Sequence, residues 1–156
     1  MTKLLLSVHV LAAIVAVGPV TVAASMFPAT LRRALGGSPA GDALVTLRTL
    51  HRICCVYAYV GVAVPVFGFA TARGLGVLGD TWLIVSMLLT AAAAGVLGLL
   101  VLPAQGRALE EAAQAAVRSP ASVAPARLAM LTGVFNLLWA TVTVLMIVRP
   151  GSTTGA

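Results

Sequence analysis

Charge of either sign is scarce in this sequence. Acidic residues number four and basic residues ten, together 9% of the chain, where an ordinary soluble domain carries about 25%. Four long stretches, 4–31, 53–72, 81–106 and 128–148, contain no Asp, Glu, Lys or Arg. That lack excludes a soluble globular domain, because a chain that is 60% hydrophobic has too few polar residues to cover itself in water. It also removes the intramembrane carboxylate on which a proton-driven pump or transporter usually depends. Cysteine is limited to the adjacent pair Cys54 and Cys55, which supplies neither a disulfide framework nor a C-x-x-C motif. Aromatics make up 5% of the residues and no basic run interleaves with them, so the net charge of +6 does not point to nucleic acid. Nucleotide loops, hydrolase triads and metalloprotease motifs are missing as well.

What is present is apolar length. Each of the four uncharged stretches reaches the ~20 residues needed to cross a ~30 Å hydrocarbon layer at ~1.5 Å per residue. The sequence therefore predicts an all-α fold, a four-helix transmembrane bundle forming a single membrane domain over 1–156. The first stretch mimics a secretory signal, with Lys3, an apolar run and then Val22-Ala23-Ala24-Ser25. Its run exceeds the ~7–15 residues of a signal core, and a retained helix is expected.

Prolines and glycines mark where the helices should bend or stop. Gly18-Pro19 predicts a kink inside helix 1 and Pro65 one inside helix 2. Gly36-Gly37-Ser38-Pro39 breaks the chain before helix 2, with Asp42 expected as its N-cap and a start near Ala43. Asp80 is expected to cap helix 3, and Trp82 to lie at the membrane boundary. Pro103 marks an exit or bend, after which 107–118 reads as a helical extension into the cytoplasm that Ser119-Pro120 stops. Helix 4 is expected from about Pro125 to Val148, followed by a short flexible tail.

Basic residues distribute unevenly over the loops. Arg32, Arg33, Arg48, Arg52, Arg107, Arg118 and Arg127 flank loops 1 and 3, whereas Lys3, Arg73 and Arg149 flank the other side. The positive-inside rule then puts loops 1 and 3 in the cytoplasm and both termini on the outer side. Arginine greatly outnumbers lysine and Ala, Gly and Val abound, a composition that suggests a GC-rich bacterial genome and hence a bacterial plasma membrane.

Few residues could carry chemistry. His9 stands five residues into helix 1, roughly 8 Å from the outer edge, and an imidazole at that depth can ligate haem iron, relay a proton or simply bond a neighbouring helix. Ala12, Ala13 and Ala16 leave room beside it. His51 falls near the opposite face, with depth differing by roughly 20 Å, so one haem iron could not use both histidines of a monomer. His51, Cys54 and Cys55 follow the i, i+3, i+4 spacing, but no further Cys or His is near enough to complete a zinc or copper site, and no metal is expected. Asn136 is the most polar residue in the middle of helix 4 and needs a partner on another helix.

The order of these features resembles a group of small bacterial membrane proteins. Leu5-Leu6-Ser7-Val8-His9, then Gly18-Pro19 and Arg32-Arg33, then Leu50-His51-Arg52-Ile53, Trp82-Leu83-Ile84-Val85-Ser86-Met87, Phe135-Asn136 and Val148-Arg149-Pro150 carry the likeness over about 3–150. The chain is similar above all to an uncharacterised family of predicted integral membrane proteins, and more distantly to the four-helix protoporphyrinogen oxidase (the HemJ type) and the copper-resistance D-like proteins. The oxidase likeness implies haem support by the helix 1 histidine, matched here by His9, together with a helix 3 lysine. Ser86 stands where that lysine would be, and Ile84 where that branch has a histidine. The resemblance therefore implies the fold and not the reaction.

Beside a small transporter or metal-handling protein, which the sequence hardly supports, two functions remain open at this point. One is a non-catalytic scaffold or accessory subunit with membrane lipids around it and a homodimer formed through the small-residue faces of helices 1 and 3. The other is a b-type haem-binding or quinone-linked redox protein that uses His9, with Asn136 as a polar partner.

Overall fold

The computed structural model describes residues 2–36, 40–115 and 124–151. Among the described residues, six α-helices and one π-helical segment follow in order: α1 (Thr2–Leu35), α2 (Ala40–Gly61), α3 (Ala63–Leu75), α4 (Thr81–Gly95), the π segment (Val96–Val101), α5 (Leu102–Ala115) and α6 (Pro125–Val148). Strands are absent among the described residues. The elements combine into four spans, Lys3–Leu35, Gly41–Leu75, Thr81–Gln114 and Pro125–Val148, each long and apolar enough to cross a membrane. The expected four-helix transmembrane bundle is thus the observed fold.

The exterior explains the composition. Tyr59, Leu99 and Ile147 are 82%, 77% and 75% exposed, and large aliphatic residues are exposed on every span. Water would penalise such a surface at about 25 cal/mol per Å², whereas lipid does not. All backbone polar groups within a span can be satisfied inside its own helix, which is why the spans are helical.

Helix α1 is the hub, packing against α2, α3, α5 and α6, while α4 packs against α6. Its Ala16, Ala23 and Ala24 are buried. The narrow side of helix 1 is therefore used inside the protein, where it lets neighbouring backbones approach. On span 3 the picture is reversed, since Ala91, Ala92 and Gly98 remain exposed. At the arginine-rich end, Phe27, Leu31, Leu47, Leu50, Cys54, Ala104, Ala108 and Leu128 form one dry core. Val20, Ala93, Leu97, Val101 and Phe135 fill the middle. Ala72, Trp82 and Leu83 close the other end.

Proline acts differently at each site. Helix α1 runs through Pro19 and Pro28 as one element, so Gly18-Pro19 does not end the helix. Span 2 does break, at Val62 between α2 and α3, three residues before Pro65. Pro65 has no N–H to give the Gly61 carbonyl, and the chain tightens there into a turn that bonds Val62 N–H to the Tyr59 carbonyl at 3.1 Å. Pro103 does not end its helix. The π segment ends two residues before it and accommodates the missing donor, and α5 continues to Ala115.

The helix ends hold further corrections. Helix α2 starts at Ala40, so Asp42 lies in its first turn rather than at the cap, where its charge still suits the positive end of the helix. Asp80 does occupy the N-cap of α4, but without a side-chain capping bond. Its Oδ2 instead accepts the Trp82 indole N–H at 3.0 Å. Arg149 lies over that same indole, 5.6 Å from the ring centroid, tying the end of span 4 to the start of span 3. Gly76 takes φ +72° at the end of α3, and Val77 N–H bonds the Ala72 carbonyl in the manner that closes a helix on glycine. The breaker residues Gly37, Ser38 and Pro39, the stop at Ser119-Pro120 and the tail from 152 onward lie outside the described residues, as does the end of the helical extension expected over 107–118.

Candidate functional site

His9 is buried, and its Nδ1 lies 2.9 Å from the backbone carbonyl of Val64 in α3. A carbonyl oxygen only accepts, so Nδ1 carries the proton and Nε2 holds the lone pair in the neutral ring. The ring lies flush against Gly68. A Cβ built at that glycine would stand 2.8 Å from His9 Cε1 and 3.2 Å from Nδ1. Glycine at 68 is thus what allows the imidazole to reach the carbonyl one helical turn away. The bond joins span 1 to the part of span 2 beyond its break, so His9 fixes the angle that Pro65 makes available.

His51 is organised by different means. Its Nδ1 lies 3.2 Å from Gln105 Oε1, on α5, and its Nε2 lies 3.6 Å from the Cys55 sulfur, one turn along α2. Gln105 is fully buried and its Nε2 donates to the Cys54 sulfur at 3.8 Å. That contact turns Oε1 toward the imidazole, so Nδ1 of His51 donates to the amide and the lone pair at Nε2 faces the Cys55 thiol. The four side chains form one polar string in an otherwise apolar core, and Cys54 is fully buried within it. The helical spacing sets Cys55 beside His51, whereas Cys54 contacts Gln105. Among the described residues, however, no group of three or more His, Cys, Asp or Glu side chains could hold a metal ion.

Asn136 sits apart from both histidines. Its Nδ2 donates to Ser25 Oγ at 3.2 Å, joining α6 to α1, and Thr132 Oγ1 reaches the Ala24 carbonyl at 3.5 Å beside it. Ser25 lies ~24 Å along α1 from His9 by helical rise, so Asn136 and His9 do not form one site. Asn136 Oδ1 is buried without a hydrogen-bond partner among the described residues, and so is the Trp139 indole nitrogen. Ser86 is fully buried and spends its hydroxyl on the Trp82 carbonyl of its own helix at 2.8 Å.

A half-open cavity of about 160 Å³ lies between spans in the middle of the bundle, bordered by Tyr57, Gly61, Pro65, Thr90, Phe135 and Trp139 among others. No histidine lines it. A cavity of that size holds about one benzene-sized ring.

Sequence reasoning did not find Gln105, Gly68 or the Val64 carbonyl. Gln105 had a visible signal, a lone amide within the uncharged third stretch, flanked by Pro103 and Gly106. The other two had none, since a glycine notch and a backbone acceptor become specific only when a second helix is laid against them.

The fold and these contacts define a four-span integral membrane protein in which His9, Gln105 and Asn136 join helix to helix. The family described as Predicted integral membrane protein (DUF2269) matches residues 3–150, and the chain belongs to that family. No curated protein and no solved structure matches the chain.

Proposed function

We propose that this protein is a non-catalytic scaffold or accessory subunit of a bacterial plasma membrane, with both termini on the outer side. The observation that carries the reading is the placement of His9, wedged on Gly68 with its Nδ1 given to the Val64 carbonyl. That side chain fastens two spans, and the same is true of Asn136 on Ser25. A haem group fits poorly by comparison. Its four pyrrole rings far exceed a cavity of about 160 Å³, and that cavity offers no imidazole. The excess of arginines beside loops 1 and 3 supports the orientation. The exposed Ala91, Ala92 and Gly98 surface supports a homodimer through span 3.

The test is a visible spectrum of the protein purified in mild detergent after expression with ample haem. A colourless protein whose His9→Ala variant loses thermal stability agrees with the proposal. A Soret band that His9→Ala abolishes refutes it. Such a band would establish the rival reading, a single-histidine redox protein, which one observation favours: a carbonyl-bonded Nδ1 leaves the Nε2 lone pair free for a metal. Orientation is checked by labelling an introduced C-terminal cysteine in sealed, right-side-out membranes; protection of that cysteine from an impermeant reagent would reverse the assignment.

A further inference from the structure

The string Cys55–His51–Gln105 belongs to none of the fastening contacts described above in its chemical order. A thiol faces an imidazole lone pair at 3.6 Å, and the opposite ring nitrogen is held by an amide oxygen at 3.2 Å. Nucleophile, base and orienting group in that sequence is the arrangement by which a thiol is activated for attack on a carbonyl. Cys54, its immediate neighbour, is fully buried and contacts Gln105 rather than the imidazole, whereas Cys55 is partly exposed. The two cysteines are thus distinguished by geometry, one structural and one presented to the exterior.

The surface around Cys55 narrows the electrophile. Arg48, Arg52, Cys55 and Tyr59 recur at helical spacing along one face of α2, and Arg48, Arg52 and Tyr59 are exposed. Two cations lie on one side of the thiol. The apolar exposed residues Val56, Tyr59 and Val60 lie level with it or beyond it toward the membrane interior. An amphiphile that approaches this face would set an anionic head on the arginines and a hydrocarbon tail in the lipid, with its junction near Cys55.

We propose that Cys55 is an acyl-acceptor thiol at the membrane surface, that His51 is its general base and Gln105 a positioning residue, and that the donor is a long-chain acyl thioester. The step is a thioester exchange. The Cys55 sulfur attacks the acyl carbonyl as its proton passes to His51 Nε2; the carbonyl re-forms, the bond to the donor's sulfur breaks, and the proton moves from Nε2 to the departing thiolate. One thioester forms and one is lost, with no oxidant or reductant. Gln105 keeps the proton on Nδ1, so that Nε2 is the basic nitrogen at the start of the step. The product leaves the acyl chain beside a helix face that is already lipid-exposed.

The test incubates the full-length protein in lipid nanodiscs with palmitoyl coenzyme A and maps hydroxylamine-sensitive acyl groups by peptide mass spectrometry. Labelling is expected on Cys55 and not on Cys54, and is expected to be lost in Cys55→Ser. His51→Gln, which retains a polar side chain without a base, should slow the labelling about 100-fold. Gln105→Met, matched in volume but without the acceptor, should slow it too, and Gln105→Glu, which restores the acceptor, should recover it. Thermal midpoints of the variants in the same nanodiscs separate loss of the step from loss of the fold. No acylation of the folded wild type, label on Cys54, or a rate in a folded His51→Gln variant equal to that of the wild type would each overturn the proposal.

Discussion

His9 and His51 are each held through Nδ1, but by acceptors of different kinds. His9 bonds a backbone carbonyl and sits on a glycine, so its partner cannot rotate away or be exchanged by substitution. His51 bonds the side-chain amide of a buried glutamine, which is held in turn by a cysteine sulfur. The first arrangement fixes a helix crossing at the one place where span 2 is broken. The second sets a tautomer and aims a lone pair at a thiol. Two residues that look alike in sequence, one His near each end of the bundle, differ because one meets a backbone carbonyl beside a glycine notch and the other meets a side-chain network with its own direction.

Substitutions can break this contrast, and the largest effect is expected at Gln105. Gln105→Leu removes the amide from a fully buried position and leaves the His51 Nδ1–H without an acceptor. The expected loss is about 1–3 kcal/mol of unfolding free energy in mild detergent, read by thermal or SDS titration. Little or no loss would mean that the polar string does not contribute to folding. At the other histidine, His9→Ala deletes one bond to a backbone acceptor and should cost about 1 kcal/mol, with the protein still assembled in the membrane. Asn136→Ala removes the Ser25 contact between α6 and α1 and should cost less, ~0.6 kcal/mol, the usual scale of hydrogen bonds between membrane helices. The smallest change is expected from Arg149→Ala, which loses the stacking over Trp82 and should shift stability by about 0.5 kcal/mol. If Asn136→Ala proved more damaging than Gln105→Leu, the ordering of the two regions would be wrong.

Much of the fold was legible in the residues themselves, because lipid imposes length and hydropathy on every span. The span from Pro125 to Val148 begins and ends where its proline and its terminal arginine mark it. Span boundaries were drawn too tightly elsewhere, as at α1, which continues four residues past Leu31 to Leu35 through Arg32 and Arg33. Charges end the stretch that can lie in hydrocarbon, but they do not end a helix, and arginine is a good helix former. Pro65 and Pro103 marked where the chain departs from the α-helix, but not the residue at which it does so. A proline's ring and missing N–H act on the carbonyl four residues earlier, so the break appears at Val62 rather than at Pro65, and the π segment precedes Pro103. The candidate site was legible only in part. His51, Cys54 and Cys55 share one helix and their proximity follows from its pitch, but Gln105 enters from another span, and its contact with His51 depends on how α2 and α5 are packed. His9 was visible as a polar residue at depth, while its destination was not, because any carbonyl or thin helix surface could have received it.

The central claim is that His9 is a fastener seated on Gly68, and a double-mutant cycle tests it most directly. In an exposed or open helical position Gly→Ala stabilises by up to ~1 kcal/mol. At Gly68 the added methyl would stand 2.8 Å from His9 Cε1 and push the ring off the Val64 carbonyl. Gly68→Ala should therefore destabilise the wild-type protein and stabilise the His9→Ala variant, a reversal of sign measured by unfolding of all four proteins in the same detergent. An equal effect of Gly68→Ala in both backgrounds would contradict the account.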